Sequence, residues 1–136
     1  MKKVILDTNV GLVAAGAFEV DGGKPTMALK TWCTDLLCKI MQNEVGLVID
    51  EDREIVSEYL HKMPGYALGG EFIKWLSCNI WSGGTVSRVG IHKTKGGYVE
   101  FPADKELSEF DLSDRKFIAV AVANKGAAPI QEATDG

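Results

Sequence analysis

Apolar residues recur with two different rhythms along the chain. From Met27 to Met41 they fall at Leu29, Trp32, Cys33, Leu36, Leu37, Ile40 and Met41, the three-and-four spacing of a helix face. The stretches REIVSEYLHKM (53–63) and LGGEFIKWLSCNIW (68–81) repeat that spacing, with Pro64-Gly65 as the stop between them. A fourth helix is predicted from Ser113 to Asn124, with Gly126 as its C-terminal stop. Between the helices lie short β-branched runs. Lys3 to Asn9 and residues 45–50 (VGLVID) read as buried strands, and a further short strand falls near Ala128–Ala133. Residues 19–26 (EVDGGKPT) read as a loop. In 82–103, Val86, Val89 and Ile91 and then Tyr98, Val99 and Phe101 flank KTKGG, which predicts a two-stranded ribbon with a glycine turn.

Helices alternating with strands in this order favour a mostly parallel sheet covered by helices, an α/β fold. A chain of 136 residues is expected to form one domain with a real core. With 46% hydrophobic and 25% charged residues it is neither disordered nor fibrous in composition. No apolar run is long enough for a membrane span, and Asp7 and Asn9 interrupt the stretch behind the basic N-terminus as no signal peptide would, so a cytoplasmic protein with no membrane partner is expected. Cys33, Cys38 and Cys78 show no metal-ligand spacing and read as buried free thiols.

The first strand ends in an unusual way, with Asp7-Thr8-Asn9 breaking into an apolar run. Ligands of an open parallel sheet collect beyond the carboxyl ends of its strands. Asp7 follows the first strand and Asp135 the last, so both fall at that edge. Helix starts share the same edge, which adds Asp111 and Asp114 at the fourth predicted helix and Glu58 in the first turns of the second. Carboxylates so gathered repel, by about 4 kcal/mol for a pair ~4 Å apart at an effective dielectric of 20. Mg²⁺ or Mn²⁺ would relieve this, and hard oxygen donors are what these ions prefer. Each acid also has a plainer role: Asp111 as a helix cap, Asp114 in a first turn, Glu58 on a solvated face, Asp135 in a tail. The net charge of −4 argues against a nucleic-acid binder unless bound metal cancels part of it.

VILDTNVGLVA near the N-terminus, EIVSEYL in the middle and FDLSDRKFIAVAVA…ATDG near the end resemble the motifs of the PIN domain family. These are metal-dependent nucleases that include the VapC-type toxins, and the likeness covers nearly the whole chain in order. It implies a three-layer α/β/α sandwich with a mostly parallel central sheet. It further implies a metal-dependent endoribonuclease using Mg²⁺ or Mn²⁺ on RNA, with toxin of a toxin–antitoxin pair or RNA processing as the role. By position, the catalytic acids are Asp7, Glu58, Asp114 and Asp135. Asp7, Asp114 and Asp135 hold the metal, with Asp111 as an extra ligand. Thr8, Asn9 and Thr134 fit the family's polar support positions. Glu54, one turn before Glu58, competes for the second acid. Implied partners are the RNA, a cognate antitoxin and a second copy in a homodimer.

Arg88, His92, Lys93 and Lys95 form the basic cluster of note. They are candidates for RNA phosphate contacts, with a lysine-guarded edge as the competing reading. Two other functions stand beside the nuclease. One is a PIN-fold module of little or no activity that binds RNA or a protein. The other is a phosphatase-like hydrolase, which would want D-x-D where this chain has D-T-N.

Overall fold

Two strands that the sequence marks as continuously apolar, β1 (Lys3–Leu6) and β2 (Gly46–Asp50), lie side by side in the centre of a four-stranded parallel sheet. Every residue of β2 is buried, as expected of a strand covered on both faces. The computed structural model describes residues 2–16, 25–63, 65, 67–82, 84–95, 97–102 and 114–133. The predicted loop at 19–26 falls largely outside these, as do Asp111, Thr134 and Asp135.

The order along the chain is β1, α1 (Thr8–Ala14), α2 (Met27–Met41), β2, α3 (Glu54–Lys62), α4 (Ala67–Asn79), β3 (Val86–Val89), β4 (Lys93–Thr94), β5 (Gly97–Tyr98), α5 (Arg115–Ala123) and β6 (Ile130–Gln131). The sheet runs β3-β2-β1-β6, all parallel, while β4 and β5 form a separate antiparallel hairpin. The fold is therefore α/β with a parallel sheet.

Helix α2 runs over the predicted span, opened by Thr26, whose hydroxyl accepts the Leu29 amide at 3.1 Å. It buries Leu29, Cys33, Leu37 and Ile40. Helix α3 turns Ile55, Val56 and Tyr59 inward and α4 turns Phe72 and Leu76. Tyr59 and Phe72 meet edge-to-face at 6.0 Å, which ties the two helices together. Helix α1 approaches the end of α3 so closely that a Cβ on Gly11 would fall 2.0 Å from the Met63 methyl. At the end of α5, Lys125 and Gly126 both take positive φ, and the Gly126 amide donates to the Ala121 carbonyl at 3.0 Å.

Three expectations are corrected. The first strand stops at Leu6 rather than Asn9, because the Asp7 carboxylate accepts the Asn9 amide and starts a helix there. Val86–Val89 is not half of a ribbon but the fourth strand of the parallel sheet, in register with Leu47–Asp50. Only the hairpin 93–98 survives from that prediction. Of the three thiols, Cys33 is buried, but Cys78 is exposed.

Candidate metal centre

The sheet reverses its winding between β1 and β6. From β1 the chain moves outward through β2 to β3, then returns across the sheet to place β6 on the other side of β1. The carboxyl ends of β1 and β6 therefore flank a topological switch point, the crevice where open parallel sheets take ligands. Asp7 is the first residue after β1 and Glu132 the first after β6. The β1 end is tied at two points. The Asp7 amide donates to the Gln131 carbonyl at 3.0 Å, and the buried Tyr59 hydroxyl donates to the Leu6 carbonyl at 2.5 Å.

The Asp7 carboxyl is pushed up to about 6. Burial is the main cause, and the like charges of Asp114, Glu132 and Glu58 add to it against the opposing Asn9 hydrogen bond. Asp7 thus shares a field with two of the acids singled out in the sequence and with one that was not. Burial and the nearby charges of Asp7, Glu58 and Asp50 raise the Tyr59 hydroxyl well above its usual value, keeping it a neutral donor.

Glu58 lies in a different environment. The Thr8 hydroxyl donates to its Oε2. Its Oε1 takes the Lys116 ammonium at 2.7 Å and that of Lys62 at 3.6 Å. Burial works to raise the Glu58 carboxyl, but the Lys116 and Thr8 hydrogen bonds and the two ammonium charges outweigh it and hold the group low. Glu54, the competitor, sits at the first position of α3, where its Oε1 accepts from Lys93 at 3.2 Å. It is Glu58, not Glu54, that the structure joins to Thr8 and to Asp7's field.

Asp114 occupies the N-cap position of α5 without a side-chain cap bond. Asp50 ends β2, fully buried, and its two oxygens accept the Glu54 and Ile55 amides at 2.8 and 2.9 Å. That uses it as the opening of α3. The Asn9 side chain is exposed and its backbone amide makes the contact to Asp7. Asp111, Thr134 and Asp135 lie outside the described residues. Among the described residues, no three His, Cys, Asp or Glu side chains are grouped closely enough to cage a metal.

The hairpin stands beside these acids. Burial and the charges of Glu54, Asp50 and Glu58 push the Tyr98 hydroxyl up to about 12. His92 donates its backbone amide to Glu100 Oε1, and its ring Nδ1 lies 2.7 Å from Oε2. Its imidazole is accordingly raised, first by that hydrogen bond and then by the Glu100 charge. With Lys93 on Glu54 and His92 on Glu100, two of the four basic residues face acids and the cluster is not presented as one patch. Lys95 is exposed. Arg88 instead lies 4.4 Å over the ring of Trp81, which is 64% exposed, and Arg53 lies 5.9 Å from the same ring. Trp81 edges a groove of about 520 Å³ between α3 and α4, lined also by Val56, Leu60, Ile73 and Leu76.

Sequence reasoning missed Lys116 and Glu132. Lys116 left a trace, since its spacing of three and four to Ala119 and Val120 puts it on the buried face of α5. Glu132 was hidden because the last strand was expected to run through it to Ala133. Comparison of the chain with protein-family models, with curated proteins and with solved structures found no match.

Proposed function

We propose that the chain is a PIN-like, three-layer α/β/α protein that cleaves RNA endonucleolytically with Mg²⁺ or Mn²⁺. The observation that carries this reading is Asp7, a half-buried carboxylate at the switch point of a parallel sheet, raised by burial and by three further acids. Such a surplus of hard oxygen donors suits a divalent cation better than any neutral ligand. Asp7 and Asp114 would hold it, with Asp111 and Asp135 as the remaining acids of the motif. When bound, the ion supplies Lewis-acid stabilisation of charge on a phosphodiester.

The chain's own residues do the rest. Asp7 is fixed by the Asn9 amide and by the strand end beneath it. Thr8 orients Glu58, and Lys116 balances it. Arg88 and Arg53 beside Trp81 offer cations and an aromatic face to a single strand passing the hairpin. The test is cleavage of several structured RNAs in Mn²⁺, with EDTA as control, by the parent and by Asp7→Asn. Asp7→Asn is expected to lose at least ~10²-fold in rate, and a variant as active as the parent overturns the mechanism.

A second reading, a non-catalytic module that binds RNA or a protein, is favoured by one observation. Glu58, the acid expected in the catalytic set, is already neutralised by a buried lysine. Undiminished RNA binding in EDTA with no cleavage in Mn²⁺ would select it.

A further inference from the structure

We propose that Trp81, Arg53 and Arg88 form a subsite for an unpaired nucleotide of an RNA strand, the base stacking on the indole and the phosphates on either side meeting the two guanidiniums. The inference rests on the RNA reading and deepens it: the subsite selects single-stranded over duplex RNA and needs no metal to do so.

Trp81 follows the end of α4 and is 64% exposed, a large apolar surface left in water, while its neighbour Ile80 is buried. Arg88 lies 4.4 Å over its ring and Arg53 5.9 Å from it. Among the described residues neither guanidinium forms an ion pair with an acid. That sets the two apart from His92 and Lys93, which face Glu100 and Glu54. A guanidinium stacks by its face and donates by its edge, so Arg88 can keep its place on the indole and still offer a fork of N–H groups to a phosphate. The adjoining groove has one acid in its lining, Asp52, and the two arginines outnumber it. Its volume of about 520 Å³ is within the range of small-ligand sites.

Position favours an RNA strand over a protein helix, the other occupant that an apolar groove of Val56, Leu60, Ile73 and Leu76 would take. Arg53 caps α3 just beyond the end of β2, and Arg88 pairs with Ile49 one residue before the end of β3. Both therefore lie at the carboxyl edge of the sheet, where Asp7 follows β1. Strand β2 neighbours β1, and adjacent strands are ~4.8 Å apart, so an RNA strand lying along this edge passes from Asp7 to the arginines. A duplex offers the indole no free base face, because its bases are paired and stacked.

The experiment is fluorescence anisotropy of a short labelled RNA of mixed sequence, single-stranded or annealed to its complement, in EDTA across a salt series. It compares the parent, Trp81→Ala, Trp81→Phe and Arg53→Gln/Arg88→Gln, with melting to establish that each is folded. The parent is expected to bind the single strand about tenfold more tightly than the duplex. Trp81→Ala is expected to bind the single strand about tenfold more weakly at an unchanged salt slope, and Trp81→Phe, which keeps an aromatic face, to recover most of the loss. The arginine variant is expected to reduce the salt slope by about 1.4, for two phosphate contacts at ~0.7 each on a single strand. If it does not fold, Arg88→Gln alone is expected to reduce the slope by about 0.7. A parent that binds duplex as tightly as single strand overturns the proposal. So does a Trp81→Ala protein with the parent's affinity, or an arginine variant with the parent's slope, and either of these leaves the groove to a protein partner. No binding of either RNA in EDTA overturns it as well. Cleavage by that same protein in Mn²⁺ would then leave the RNA reading standing, and no cleavage would remove both.

Discussion

The Asp7 carboxylate caps α1 through the Asn9 amide while facing three other acids, so its charge helps the helix and strains the cluster. The balance has a definite dependence on pH. Its folded value is about 6 against 3.8 for the free group, so between these limits the folded state binds the proton more tightly than the unfolded chain does. Stability contributed by the protonated form is therefore present below about pH 4 and is lost as the pH rises towards 6. At this partly exposed site the loss is on the order of 1–2 kcal/mol once screening is allowed for. Asp7→Asn keeps an oxygen to cap the helix and carries no charge. In EDTA near neutral pH it should melt about 5 °C above the parent, and the gap should close below pH 4. A variant that melts below the parent at neutral pH would mean that the cap, not the repulsion, dominates.

At the scale of elements, close backbone approaches decide where side chains are forbidden. In α4 a Cβ on Gly70 would stand 2.8 Å from the carbonyl carbon and oxygen of Gly65, backbone atoms that cannot rotate away. Gly70→Ala should therefore cost about 1–3 kcal/mol by overpacking, although alanine is the better helix former, and thermal melting measures it. Helices α2, α3 and α4 were legible in the sequence because their apolar residues keep helical spacing over two or more turns. Helix α1 was not, since the expected strand ran on through Thr8 and Asn9, the residues with which the helix begins, and only the Asp7 cap converts the segment. Strand β3 was hidden behind a strong local turn signal in KTKGG, whereas its true partner is β2, some forty residues away in sequence. The same division holds for the centre. Strand ends and helix starts were enough to place Asp7, Glu58 and Asp114 at one edge. The ion pair at Glu58 depends on how α3 and α5 meet, and local pattern carries no record of that.

For the molecule as a whole, a cation that binds only the folded form must raise its stability, by about 2.7 kcal/mol at a hundredfold excess over Kd. Saturating Mn²⁺ should accordingly raise the melting temperature by on the order of 10 °C over EDTA near neutral pH. The gain should shrink in mildly acidic buffer, because protonated carboxylates do not ligate. An unchanged melting point would leave the acids without a metal. The strand order carries a last consequence, for the sequence of events as the chain folds and opens. Strand β6 is two residues long and pairs with β1 through Ile5↔Ile130 and Leu6↔Gln131, across 125 positions of sequence. Few bonds secured over so long a loop form late and open early. The Ile5 and Asp7 amides, which donate to Pro129 and Gln131, should therefore exchange with deuterium faster than the Leu47 amide, which donates to Thr85 between β2 and β3. Each such opening would carry Glu132 away from Asp7 while β1, β2 and β3 stay paired, so the crevice would fall open and reclose many times for every global unfolding of the chain.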